Sequence, residues 1–463
     1  MTAGWVPRLG NRGGPIYLAI AEAIAAAIAT GELRPGERLP THRALAEALG
    51  LDLTTVTRAY AEARQRGLLE ATVGRGTFVR ERPISPPPGG EASGPVDLGM
   101  NLPPEPTDPP LRDLLRQGLA ALLARDAPGL LTYRTGAGTA EERAAGAAWL
   151  RPTLGPVDPE RVLVCPGAQP ALLAVLGSLA GPGDAVLADA VTYPGLRSAA
   201  AQLGIQLRGL ATDAEGLVPE ALEEACRAGG ARALYCIPTI HNPTSATLPP
   251  ARRQVIAGIA RRHGLPILED DAYGLLPSAP LPALASLAPE LTWHVATVSK
   301  LLTPALRVAY CVAPDPGAAA RLAGALRANT LMASPLLTGL ATGWIGDGIA
   351  GRVLAAIRRE CAARQRIARE VLPPGSFAAH PEGLHLWLRL PPRWDRLQFA
   401  AHLRRRGGLA VVPADAFAVE APPPNQVRLS LGAAPGAAAL RSALRLVAET
   451  LVEEQPAPFA GVV

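Results

Sequence analysis

Lysine occurs once in this chain, at position 300, against 44 arginines. Where every other cation is arginine, the position that keeps lysine needs a primary amine that can lose its proton and act as a nucleophile, which guanidinium cannot supply. Other polar or special residues follow short apolar runs: Pro166-Gly167-Ala168-Gln169 after Val162 to Val164, Tyr193 after Ala185 to Ala188, Asn242 after Ala233 to Ile237, and Asp270 after Pro266 to Leu268. Ser299-Lys300 follows Val295 to Val298 in the same way. In open α/β sheets ligands bind at the carboxyl ends of strands, so distant segments of this kind assemble one site. Cys165, Cys226, Cys236, Cys311 and Cys361 are scattered without metal-ligand spacing and read as reduced core thiols, so no metal site is expected.

The elements that must position these residues fall into two units, since 463 residues exceed one ordinary domain. Residues 81–96, dense in Pro, Gly and Ser, read as a linker between a domain at 1–80 and a larger one at 97–463. The large domain alternates buried strand-like runs with helical segments, an α/β pattern. In the small one, Ile16, Ile20, Ile24 and Ile28 form a stripe along a first helix ending near Gly31. Thr41 precedes a second helix with Leu45 and Leu49 inward, stopped at Gly50. A third helix runs from about Thr54 with Val56, Tyr60 and Ala63 inward, stopped at Gly67. LLEATV and TFV flank Gly74-Arg75-Gly76 as strand, turn and strand. That order is a winged helix-turn-helix.

Apolar runs such as Ala171 to Leu176 and Val255 to Ala260 are interrupted by Gly, Pro or Arg well before a membrane span's length. The start, MTAGWVPRLGNRGG, lacks the apolar stretch of a secretory signal and the end resembles no lipidation signal, so the expected compartment is the cytoplasm. A net charge of +5 and a pI near 9.2 permit nucleic-acid binding without arguing for it.

The stretch LPTHRALAEALGLDLTTVTRAYAEARQRGLLEATVGRGTFV resembles the winged-helix domain of GntR-type bacterial regulators over almost its full length. The resemblance implies that the third helix enters the major groove of operator DNA, with Thr54, Thr55, Thr57 and Arg58 as candidates for base or phosphate contact. It also implies that Arg43 holds the phosphate backbone and that Arg75, at the wing tip, reaches an adjacent groove or phosphate. Leu53 stands where an arginine is frequent and is assigned no contact.

Thr297-Val-Ser299-Lys300-Leu-Leu-Thr-Pro304-Ala-Leu-Arg307 resembles the cofactor-lysine segment of fold-type I aminotransferases, and the similarity extends over most of residues 97–450. It implies a pyridoxal 5′-phosphate Schiff base on Lys300, with phosphate held by Thr297, Ser299 and Arg307, where hydroxyls donate and guanidinium neutralises. It implies Asp270 beneath the pyridine nitrogen, Tyr273 and Asn242 donating to the phenolate oxygen, and Tyr193 against the ring face. Ala168 and Gln169 open a helix whose N-terminus receives the phosphate, although Pro170 there lacks an N–H. Arg428 in QVRLSLG resembles the clamp for a substrate α-carboxylate, and Tyr133 in LTYRTGAG resembles the tyrosine that one subunit of a homodimer lends to its partner's phosphate. Ser245, Ala272 and Ala168 depart from frequent family residues, and Asn101 is the distinctive polar group of GMNLPPEP.

A GntR-like winged helix joined to such a domain resembles the MocR subfamily of bacterial transcription regulators. The resemblance implies a homodimer that binds operator DNA and senses an amine or amino acid that displaces Lys300 from the cofactor to form an external aldimine. A pyridoxal phosphate-dependent transaminase with an accessory DNA-binding domain fits the same residues, and a DNA-binding dimer with a vestigial cofactor fold is a third reading.

Overall fold

The computed structural model describes residues 5–7, 16–30, 32–33, 36–65, 68–72, 76–79, 96–125, 127–134 and 136–453. The chain divides into two compact units, Met1–Ala92 and Ser93–Val463. Of the expected linker only Val96 is among the described residues.

The first unit holds helices α1 (Ile16–Thr30), α2 (His42–Leu49) and α3 (Leu53–Gln65), then strands β1 (Leu69–Thr72) and β2 (Gly76–Val79) paired antiparallel. The Thr41 hydroxyl caps α2 by accepting the Ala44 N–H at 3.3 Å, and Gly50 ends it in the left-handed conformation at φ 65°. Ile20, Ile24, Leu45, Val56, Tyr60, Ala63, Leu69 and Val79 form the core. The isoleucine stripe is only partly inward: Ile20 and Ile24 are buried, whereas Ile16 is 49% exposed. A four-residue repeat advances 400° on a helix with 100° per residue, so the stripe drifts off the core face at its end.

In the second unit, strands β3 (Val162–Cys165), β4 (Ala185–Asp189), β5 (Gln206–Leu210), β6 (Ala231–Cys236), β7 (Ile267–Asp270), β8 (Thr292–Thr297) and β9 (Ala309–Val312) form one sheet in the order β3-β9-β8-β7-β6-β4-β5. Neighbours from β8 to β5 run parallel, and β9 is antiparallel to both β8 and β3. Two reversals return β3 to the direction of β8, so all strands but β9 end at one edge. Helices such as Ala168–Leu179, whose Leu172, Val175 and Leu176 are buried, cover the sheet. A second antiparallel sheet, β10 (Phe377–Ala378), β11 (His385–Arg389), β12 (Val412–Pro413) and β13 (Gln426–Ser430), is ordered β10-β11-β13-β12. It packs with helices Ile349–Val371 and Ala437–Val452 around Leu386, Phe399, Leu429 and Leu444. This α/β architecture sets one strand edge of the large sheet facing the residues read as chemical.

Candidate functional site

At the end of β3 the chain turns through Gly167, at φ 102°, into the helix that starts at Ala168. The amides of that first turn have no intrahelical acceptor and carry the positive end of the helix dipole. Arg307, itself left-handed at φ 45°, closes over this turn: a Cβ on Gly167 would stand 2.9 Å from its Nη2. The Ser299 hydroxyl is buried without a partner. A buried hydroxyl, a guanidinium and a helix N-terminus form an anion cradle. Gln169 contributes here through its backbone, since its side-chain Nε2 donates to Gly195 O at 2.8 Å. Thr297 differs from the expectation. Its hydroxyl donates to Val308 O at 3.2 Å and accepts the Ser299 N–H at 3.1 Å, so it ties down the Lys300 turn and its one proton is already engaged by the backbone.

Lys300 ends the short 3₁₀ turn after β8, and its Nζ lies 2.5 Å from Asn101 O. Burial, with the charges of Arg428 and Arg307, pulls its ammonium down to about 8, against a small opposing effect of Asp270. Asp270, the last residue of β7, accepts the Tyr235 hydroxyl at 2.7 Å. Burial pushes this carboxyl up to about 6. Tyr193, at the start of helix Pro194–Leu203, is raised by burial and feels Asp270, Arg307 and Arg428. One cleft therefore gathers Lys300, Asp270, Tyr193, Arg307 and Arg428.

Arg428 on β13 is 6% exposed. Its Nη1 donates to Asn242 Oδ1 at 2.8 Å, its Nη2 to Gly99 O at 2.5 Å, and its Nε is buried without a partner. Its guanidinium lies 5.0 Å from the Phe417 ring centre. Because Asn242 gives its oxygen to Arg428, its Nδ2 is the donor left for a ligand. Ser245, where related motifs carry glycine, is left-handed at φ 64°, which explains why glycine suits that place. Asn101 Nδ2 donates to Tyr273 Oη at 2.8 Å and lies 3.3 Å from His385 Nδ1.

Tyr235 and His385 were not singled out in the sequence, where ALYC and HLWLR look like ordinary strand interiors. Beside Asp270 lies a further buried group, with His294 Nδ1 at 3.0 Å from Glu269 Oε2 and Nε2 at 3.5 Å from Asp271 Oδ2. Burial opposes charge on both, yet the His294–Glu269 hydrogen bond holds the imidazole up and the Glu269 carboxyl down. Glu269 also accepts the N–H groups of Leu284 and Ala285, each at 2.9 Å.

Tyr133 is 81% exposed. In the first unit Arg43 is exposed at the start of α2. Thr54 and Thr57 are less free than expected, because their hydroxyls donate to Asp52 Oδ1 at 2.5 Å and Leu53 O at 2.9 Å. Each keeps only acceptor capacity, and a phosphate at Thr54 would meet the Asp52 carboxylate. Thr55 is half-buried. Arg58 is exposed and lies 4.5 Å over the Tyr17 ring. Arg75 lies outside the described residues.

Residues 93–447 match the family described as aminotransferase class I and II. The chain belongs to that family. Residues 16–79 match the bacterial regulatory proteins of the gntR family, the pairing found in MocR-type regulators. The HTH-type transcriptional regulator YdeF of Bacillus subtilis is 31% identical over 435 residues, covering 92% of each chain. The vitamin B6 salvage pathway transcriptional repressor PtsJ of Salmonella typhimurium is 30% identical, over 87% of this chain and 91% of its own. Among solved structures, the α-aminoadipate aminotransferase LysN of Thermus thermophilus, complexed with N-(5′-phosphopyridoxyl)-L-leucine, superposes with a TM-score of 0.70 at 27% identity, over 77% of this chain and 92% of that one. The large unit is thus a fold-type I domain, and pyridoxal 5′-phosphate is its cofactor. The donor set fits that group, with an anion cradle holding an orphaned serine hydroxyl, an amine and a carboxylate in one cleft.

Proposed function

We propose that this protein is a DNA-binding transcription regulator that holds pyridoxal 5′-phosphate on Lys300 and uses it to sense an amine or amino acid. The observation that carries the reading is an intact Lys300, Asp270 and Arg307 site in a chain whose residues 16–79 match gntR regulators over the winged helix. Bound cofactor supplies an aldehyde carbon that forms imines with primary amines and a ring that withdraws electrons.

This chain's residues do the rest. Lys300, lowered to about 8, has a reactive fraction of neutral amine near neutral pH. Arg307, Ser299 and the amides at Ala168 and Gln169 would hold the phosphate, Asp270 would keep the ring nitrogen protonated, and Tyr193 would stack on the ring. Arg428 selects a carboxylate, because its unpartnered Nε and its hold on Asn242 leave a cation inside the cleft. A ligand changes DNA affinity only by its different affinity for two arrangements of the protein. The exposed Tyr133 supports a homodimer in which it completes the partner's phosphate site. The proposed division is a DNA-binding domain at 1–80, a linker at 81–96 and the cofactor domain at 97–463, acting in the cytoplasm where DNA is reached. No helix among the described residues is long and apolar enough to cross a membrane.

A transaminase reading draws on the same Lys300 and on 32% identity over 328 residues to a 2-aminoadipate transaminase of Thermus thermophilus. One preparation distinguishes the two. Binding to a duplex selected by the protein from random sequence is measured with and without cofactor and a panel of amines, alongside amino-group transfer. A ligand-dependent change in DNA affinity supports the regulator. Sustained turnover with no effect of any ligand on DNA binding overturns it.

A further inference from the structure

The strand that carries His385 connects three parts of the cofactor cleft. β11 pairs with β13 in the register Trp387 to Arg428, so His385 and the carboxylate-selecting arginine share one small sheet. His385 is fully buried, with Nε2 3.1 Å from His241 O and Nδ1 3.3 Å from Asn101 Nδ2. Ser245 Oγ and Gln365 Nε2 both donate to its carbonyl, at 3.3 and 3.1 Å, which fixes the residue's place.

These contacts determine where the protons are. A backbone carbonyl only accepts, so His385 Nε2 must carry a hydrogen. Burial and the Arg428 charge push the imidazole down to about 3, so the ring is neutral and Nδ1 is a bare acceptor. A bare Nδ1 must face the amide nitrogen of Asn101 and not its oxygen, which sets the orientation of that side chain. The second hydrogen on Asn101 Nδ2 then points to Tyr273 Oη at 2.8 Å. Tyr273 is left as the acceptor in that bond, with its own hydrogen free for the cleft. The same Asn101 offers its backbone oxygen to Lys300 Nζ.

We infer that His385 is a positioning residue: as the Nε2–H tautomer it orients Asn101, and Asn101 aims the Tyr273 hydroxyl proton at the ionised ring hydroxyl of the cofactor. The inference rests on the cofactor reading above. It gives β11 a role that reaches from the Arg428 sheet to the two groups, Lys300 and Tyr273, that meet the reactive end of the cofactor.

The test uses the full-length protein loaded with pyridoxal phosphate and reads the pH at which its visible absorption band titrates. A donor to the ring oxygen favours the form with more negative charge there, so losing it moves the titration to higher pH. The titratable groups that act on Tyr273 and His385 are Arg428, Asp270, Tyr193, His241 and Lys300, and the variants alter none of these five. His385→Gln keeps an N–H near His241 O but has no acceptor at the Nδ1 position, and is expected to raise the titration by about one pH unit. His385→Asn places an amide oxygen at the Nδ1 position and is expected to restore the original value to within a few tenths of a unit. Asn101→Leu is an independent route through another element and should raise it as His385→Gln does. In a Tyr273→Phe background, His385→Gln should add nothing further. Equal titrations in all three variants, or an undiminished His385→Gln effect without the Tyr273 hydroxyl, overturns the inference. Absence of a borohydride-trappable band in the unaltered protein would instead overturn the cofactor reading.

Discussion

In the large unit Asp270, Tyr273, Asn242, Ser299 and Arg428 are each at most 6% exposed, whereas in the winged-helix unit Arg43, Thr54, Thr57 and Arg58 all face solvent. The contrast follows from the size of what each unit recognises. A small cofactor is recognised by groups removed from water, where hydrogen bonds and charges act strongly and pKa values move, as at Lys300 and Asp270. A duplex is met at an open surface by cations that remain hydrated until contact, and its affinity comes from many screened phosphate contacts. Single residues should therefore matter far more in the first unit than in the second.

The largest effect tests that claim at its anchor. Lys300→Ala should abolish borohydride-trapped cofactor altogether, measured by intact mass and peptide mapping. Persistence of the covalent adduct would place the amine elsewhere, and since the chain has one lysine that means the N-terminus. Next comes the pH dependence of capture. With the amine at about 8, the rate at which cofactor-free protein captures pyridoxal phosphate should rise about tenfold per pH unit below 8 and level off above it. A flat stopped-flow profile between pH 6 and 8 would break the link between burial and reactivity.

Asp270 offers a third comparison. Its folded pKa of about 6 lies above the unfolded value, so the folded state binds the proton more tightly and stability falls as pH rises from about 4 to 6. Asp270→Asn should stabilise the cofactor-free protein at pH 7 by on the order of 2–3 kcal/mol and make no difference below pH 4, read by denaturant melts. The same variant should bind cofactor more weakly, since the ring nitrogen loses its anion.

Effects in the winged helix should be smaller. Arg43→Ala should weaken binding to all sequences several-fold and reduce the salt slope by about one. Unchanged binding would remove Arg43 from the interface. Thr54→Ala, whose hydroxyl already donates to Asp52, should change DNA affinity by less than about twofold, because the backbone N–H at 54 still donates to the Asp52 cap of α3 and only the hydroxyl bond is lost. A large loss of sequence preference there would show that the contrast between the two units is too sharply drawn.

Much of this was legible from sequence. A lone lysine, hydroxyls before it and an arginine seven residues on lie close together in the chain, and the turns after β8 keep them together, with Ser299 unpartnered and Arg307 against Gly167. The apolar runs of the buried strands were equally plain. β5 was less so, because at the sheet edge Gln206 and Arg208 are exposed and only Leu210 is fully buried. Thr297 and Thr57 looked like ligand donors because a hydroxyl's type is visible in a sequence but its partner is not.

The sequence by itself determined the kinds of chemistry: one deprotonatable amine, a carboxylate and anion donors at strand ends, and a helix-turn-helix followed by a wing. The local reason is that strand ends, helix starts and glycine turns are set by residues within a few positions of each other. Only the tertiary structure decided which hydroxyls are free, that Arg428 holds Asn242, and that Tyr235 and His385 stand behind Asp270 and Tyr273. Those partners are separated by 35 to 284 residues in the chain, and no spacing rule reaches that far. Their meeting depends on the register of two sheets and the packing between them.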